Sequence, residues 1–106
     1  MAFKRVSIDE AKALIDTGEV TIGDVRAVDA YHAGHIANAI HVQAETMDHF
    51  LSQAHEDKPL ILYCYHGNSS QGAANYFCEL GYTQVYSMDG GYEAWRLKYQ
   101  VASAIQ

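Results

Sequence analysis

The sequence predicts an α/β fold, a mainly parallel sheet flanked by helices on both faces, and three observations carry that reading. Strand-like and helix-like patterns alternate along the 106 residues. The run Leu60-Ile61-Leu62-Tyr63 is apolar without interruption, as a parallel strand buried on both faces requires. No linker, repeat or low-complexity stretch divides the chain, so residues 1–106 read as one domain.

Each element has a local reason. Ser7-Ile8-Asp9-Glu10 fits a capping box, and Ala11, Leu14 and Ile15 follow at helical spacing, so a first helix is expected from Asp9 to Thr17 with Gly18 as its left-handed stop. Val20, Ile22 and Val25 mark a strand that ends at Asp24-Val25-Arg26 despite Gly23, and a turn of helix follows from Asp29 to Ala33. Ala39 to Val42 is a short strand. Met47, Phe50, Leu51 and Ala54 recur at a helical period, giving a helix from Thr46 to His55, and Asp57-Lys58-Pro59 turns the chain into the Leu60 strand. Past the next loop, Ala73, Phe77 and Leu80 form one apolar helical face that Gly81 terminates. Gln84 to Ser87 is a strand, Asp89-Gly90-Gly91 a tight turn, and Tyr92, Trp95 and Tyr99 the packing face of a terminal helix.

With 49% hydrophobic residues, a chain of this length buries roughly 60 to 70% of its unfolded surface. A formal charge of −6 argues against a nucleic-acid or anionic-membrane partner, since both demand a positive field. Two cysteines without zinc-like spacing, and no signal peptide or long apolar span, point to free thiols in a cytoplasmic setting. Small molecules or thiol proteins remain as partners, and a monomer and a homodimer are both compatible.

The chemistry should lie at Cys64. It ends the apolar strand, and open α/β sheets place their sites at strand carboxyl ends. The loop Tyr65-His66-Gly67-Asn68-Ser69-Ser70 then leads into a helix that starts at Ser69 or Ser70. Such a turn directs backbone N–H groups at one point and stabilises an anion there. A thiol depressed in this way gains little as an attacker, because intrinsic nucleophilicity falls as the pKa falls; it gains more as a leaving group. That suits a cysteine that accepts a sulfur atom and hands it on. The bland reading is a buried structural thiol. Between Lys58 and Glu79 the chain has no Asp, Glu, Lys or Arg, so the loop must act on charge through amides and hydroxyls.

On these residues the chain resembles the rhodanese family, sulfurtransferases that carry a cysteine persulfide. Asp24-Val25-Arg26, Tyr31, Gly34-His35-Ile36, Ala39-Ile40 and Val42 are similar to the family's amino-terminal signature, and Asp89-Gly90-Gly91-Tyr92-Glu93-Ala94-Trp95 to its carboxyl-terminal one. The loop and the length are most similar to its single-domain thiosulfate sulfurtransferases. The resemblance implies a five-stranded sheet and a two-step exchange without a cofactor: Cys64 takes sulfane sulfur from thiosulfate, releases sulfite, and passes the sulfur to cyanide or to a dithiol such as thioredoxin. It also implies that the amides from Tyr65 to Ser70 cradle the persulfide, with Ser69 and Ser70 the candidates for hydroxyl support. Many members carry Arg or Lys in the loop, and this chain carries none.

Two rivals compete. Cysteine phosphatases and arsenate reductases place an oxyanion-gripping Arg where this chain has Ser70, and lack of a guanidinium removes the main partner of a phosphoryl group. A persulfide carrier or binding module that serves a partner protein is compatible with the same cysteine. Cys78 reads as core, with a resolving thiol as the alternative. His32 and His35 read as structural, since no further metal ligands arrive at usual zinc intervals. His66 either orients substrate or faces solvent. Asp24 and Arg26 read as a structural ion pair near the strand end, with substrate contact the alternative.

Overall fold

Strand β5 (Leu60–Tyr63) sits in the middle of the sheet and sets the layout of the molecule. The computed structural model describes residues 2–103. Five strands, β1 (Lys4–Val6), β2 (Thr21–Asp24), β4 (Ile40–His41), β5 and β6 (Val85–Met88), lie in the order β1-β6-β5-β2-β4. Every neighbouring pair is parallel. A separate antiparallel pair joins β3 (His35–Ile36) to β7 (Val101–Ala102).

Side chains of β5 alternate between two cores. Ile61 and Tyr63 pack with Val6, Ala11, Met88 and Trp95 on the face covered by α1 (Ile8–Asp16) and α5 (Gly91–Trp95). Leu60 and Leu62 pack with Phe50, Ala74, Phe77 and Val85 on the face covered by α3 (Met47–Gln53) and α4 (Ser69–Glu79). This is the predicted arrangement of helices on both faces. The first helix carries its capping box: Ser7 Oγ accepts from the Glu10 amide at 3.1 Å, and the Ser7 amide donates to Glu10 Oε1 at 2.8 Å. Gly23, within β2, is required by contact, since a Cβ there would lie 2.6 Å from Leu62 Cδ2.

Several sequence expectations need correction. Strand β1 escapes the pattern because only Val6 of its three residues is buried, while Lys4 and Arg5 face solvent on a charged sheet edge. The expected helix from Thr46 to His55 is a 3-10 turn (Ala44–Thr46) followed by α3, which ends at Gln53 and leaves Leu51 on its outer rim. Leu80 does not join the apolar face: it is 41% exposed just past α4, and the turn at Gly81 brings Tyr82 into the core instead. The terminal helix stops at Trp95, with Tyr99 packing on Trp95 from the following turn at a 4.7 Å ring separation. Among the described residues no helix is long and apolar enough to cross a membrane.

One buried ion pair ties the carboxyl end of β2 to its surroundings. Asp24 is fully buried and Arg26 is 4% exposed. The Arg26 guanidinium donates to both Asp24 oxygens and to the Gly34 carbonyl, at the end of α2 (Val28–Ala33). It also lies 4.0 Å over the Tyr92 ring and faces Tyr63 and Tyr65 at 5.7 and 5.5 Å. Elements remote in sequence thus meet at one cation. His35, the residue after Gly34, is used structurally, with Nδ1 2.8 Å from the Tyr31 carbonyl and its ring stacked on Tyr31. Removing one partner of a buried pair strands the other charge, so Arg26→Ala should destabilise the protein by about 3 to 5 kcal/mol in urea unfolding. A loss below about 1 kcal/mol, the range of an exposed pair, would contradict this account of the pair.

Candidate active site

The parallel sheet brings the carboxyl ends of β2, β5 and β6 to one edge, and the candidate residues gather there because each follows one of these strands. Cys64 follows β5 directly and is 4% exposed. The chain must then reverse before α4 begins at Ser69. Gly67 allows the reversal: its φ is +98°, and a Cβ would stand 3.1 Å from the Met88 carbonyl and the Gly90 amide. Gln71, in the first turn of α4, donates from Nε2 to the Gly67 carbonyl at 2.9 Å and holds that peptide in place.

The reversal points donors at sulfur. The amides of Gly67 and Ser70 lie 3.2 and 3.3 Å from Cys64 Sγ. Ser70 Oγ stands 3.4 Å from the same atom and 2.8 Å from Ser87 Oγ on β6. Burial pushes the Cys64 thiol pKa up, but the Ser70 hydroxyl and the amides of Ser70, Gly67 and His66 outweigh it, and the net direction is down. The leading contributions to that balance come from burial, one hydroxyl and backbone amides rather than from a side-chain cation. Arg26, the one cation the sequence places near the site, is buried and engaged with Asp24 and Gly34.

The remaining loop residues divide by exposure. Ser69, Asn68 and His66 face solvent, and it is Ser70, not Ser69, whose hydroxyl reaches the sulfur. Tyr65 is exposed at the rim and leans on the Arg26 guanidinium. Cys78 is buried in the core on the α4 side of the sheet, among Phe77, Tyr82 and Val85. Among the described residues no three His, Cys, Asp or Glu side chains gather as a metal would need.

Two participants were not read from sequence. Gly91 looked like a turn residue, yet it is the contact that braces the loop: with φ at +59° it sits where a Cβ would lie 2.5 Å from the Cys64 carbonyl oxygen and from the Tyr65 carbonyl. That closeness lets the Tyr92 and Glu93 amides donate to the carbonyls of Cys64 and Tyr65 at 2.8 and 3.1 Å. With those carbonyls held outward, the amides that follow turn inward. Ser87 is the other, a fully buried hydroxyl on the strand beside β5. Its signal in the sequence is a small polar residue at an inward strand position, which alone does not identify a partner.

Comparison with known proteins agrees with this architecture. The model of the rhodanese-like domain matches residues 7–98. The chain is 41% identical over 103 residues to thiosulfate sulfurtransferase GlpE of Tolumonas auensis, covering 97% of each chain. It is 46% identical over 99 residues to the protein of the same name from Pseudoalteromonas translucida, covering 93% of this chain and 94% of that one. Among solved structures, a rhodanese-related protein from Thermoplasma volcanium superposes with a TM-score of 0.77 at 26% identity, over 94% of this chain and 98% of that one.

Two glycines separate bracing from mere flexibility. Gly91→Ala should cost at least about 2 kcal/mol of stability, as expected for overpacking at a backbone contact, and should slow alkylation of Cys64 near neutral pH. Gly72→Ala, inside α4 with open space at its Cβ position, should instead stabilise by about 0.5 to 1 kcal/mol and leave alkylation unchanged. Equal, small effects of the two substitutions would remove Gly91 from the account of the loop.

Proposed function

The chain belongs to the rhodanese-like domain family, and we propose that it is a thiosulfate sulfurtransferase whose persulfide forms on Cys64. The single observation that supports this reading best is a buried cysteine sulfur approached by two loop amides and one hydroxyl, in a loop whose sequence carries no Lys or Arg. The 38–46% identity to thiosulfate sulfurtransferases over nearly the whole chain supports the choice of donor.

In the first step the Cys64 thiolate attacks the sulfane sulfur of thiosulfate. A new sulfur-sulfur bond forms, the bond within thiosulfate breaks, and sulfite departs with the electron pair. The persulfide left on Cys64 carries its charge on the outer sulfur, toward which the loop amides are the available donors. In the second step cyanide or a thiolate attacks that outer sulfur, and Cys64 leaves as a thiolate. Thiocyanate is the product with cyanide; a dithiol such as reduced thioredoxin takes the sulfur as a persulfide, and its second thiol then expels hydrosulfide as the disulfide closes. Lowering the Cys64 pKa serves this second step, because a more stable thiolate departs faster.

A phosphoryl substrate fits poorly. The position that would hold an oxyanion-gripping Arg is Ser70, whose buried side chain is directed at the cysteine sulfur and at Ser87. Dipoles rather than charges also set the affinity for thiosulfate. A net negative protein whose loop carries no Lys or Arg offers little steering to a dianion.

Incubation with thiosulfate, removal of excess reagent and intact mass under non-reducing conditions test the proposal. Wild type should gain the mass of one sulfur and lose it to cyanide with release of thiocyanate, and Cys64→Ser should gain nothing. No gain on wild type would sink thiosulfate as donor and favour a persulfide carrier loaded by another protein. The Michaelis constant for thiosulfate should be high and change by less than about twofold between low and physiological salt, since screening has little attraction to remove. A steep rise with salt would require a cationic site that this reading lacks.

A further inference from the structure

We propose that Ser87 is a positioning residue for Cys64, acting through Ser70 to fix which way the hydroxyl protons of the site point. The inference rests on the reading of Cys64 as the sulfur carrier and goes beyond it by assigning a role to a residue outside the loop. Ser87 comes from β6, seventeen residues after Ser70, and both side chains are fully buried. Its register partner is Leu62 on the adjacent β5, so its hydroxyl emerges beside the strand that delivers Cys64 and on the face that α4 covers.

Three atoms form a line: Ser87 Oγ lies 2.8 Å from Ser70 Oγ, which lies 3.4 Å from Cys64 Sγ. Each hydroxyl has one proton, so the line has two directions. When sulfur is an anion, Ser87 donates to Ser70 and Ser70 donates to sulfur, and both protons are used. When instead the thiol proton points along the line, Ser70 accepts it and the two hydroxyls share one hydrogen bond in either direction. One hydroxyl proton of the pair is then left over, since among the described residues Ser70 Oγ is the only hydrogen-bond partner of the Ser87 side chain and the Ser70 hydroxyl has only the sulfur and Ser87. A buried hydroxyl left without an acceptor is unfavourable, so the line is satisfied in the direction that stabilises the thiolate. The amides of Gly67 and Ser70 already point donors at the sulfur. Ser87 thereby recruits the Ser70 hydroxyl as a third donor at the moment Cys64 becomes the leaving group.

The pH dependence of Cys64 alkylation, read on the Cys64 peptide by mass spectrometry, tests this without any sulfur transfer, so the result does not depend on which donor the protein uses. The readout is the alkylation rate at mildly acidic pH divided by the plateau rate at high pH. Ser87→Ala should lower that ratio about three- to tenfold, the loss expected for one net hydrogen bond to the anion. Ser87→Thr, which keeps the hydroxyl, should restore it. Ser70→Ala should lower the ratio at least as far, and adding Ser87→Ala to it should change nothing more, because the effect of Ser87 passes through Ser70. Circular dichroism checks each fold, and Ser87→Gly is read in the same way where Ser87→Ala does not fold. A ratio in Ser87→Ala equal to that of wild type would overturn the proposal, as would an equal further loss on the Ser70→Ala background.

Discussion

The contact between Gly91 and the backbone of Cys64 and Tyr65 is the constraint on which the rest of this site depends. A buried strand that ends in a cysteine does not by itself aim amides at the sulfur; the peptides beyond it must be turned so that carbonyls point away and N–H groups point in. Here the turning is done from outside the loop. The first N–H groups of α5 hold the Cys64 and Tyr65 carbonyls, and they come close enough because position 91 has no Cβ. The sheet order makes this possible, since β6, which delivers α5, lies next to β5, which delivers Cys64. Sequence, topology and chemistry therefore meet at a single backbone approach.

Charge is managed by the same economy. Arg26, at the same end of the sheet, is committed to structure: it is locked by Asp24, by the Gly34 carbonyl and by the face of Tyr92. Sulfur is stabilised instead by amide and hydroxyl dipoles within hydrogen-bonding distance. A cation would favour a dianionic donor from a distance, whereas short dipoles favour charge at one atom. That bias fits the proposed reaction, in which negative charge would alternate between Cys64 and a sulfur bound to it. It also explains how a protein of net negative charge can lower the pKa of this cysteine without a compensating Lys or Arg in the loop.

Much of the fold was legible because its signals are local. The capping box at Ser7, the apolar strand at Leu60 and the left-handed stops at Gly18 and Gly81 each need only a few residues to be recognised, and the alternation of patterns then implies a parallel sheet. What was not legible depends on tertiary contact. Strand β1 exists because β6 pairs with it, as nothing in Lys4-Arg5-Val6 demands a strand alone. Leu80 was misplaced because helical spacing continued past the residue where α4 ends. At the site, Cys64 and its loop were visible as a motif, while Ser87 and the bracing role of Gly91 were not. Both act on residues far away in sequence, across a register that only the folded sheet defines.

The central claim is that dipoles of the loop overcome the penalty of burying an anionic sulfur. Its most direct test is a pH titration of thiolate absorbance in Cys78→Ser protein, in the native state and again in concentrated urea. The native midpoint should lie below the unfolded one, because hydrogen bonds to the anion exist only in the folded loop. A native midpoint at or above the unfolded value would mean that burial prevails, and the cradle would then be a structural turn around an inert thiol.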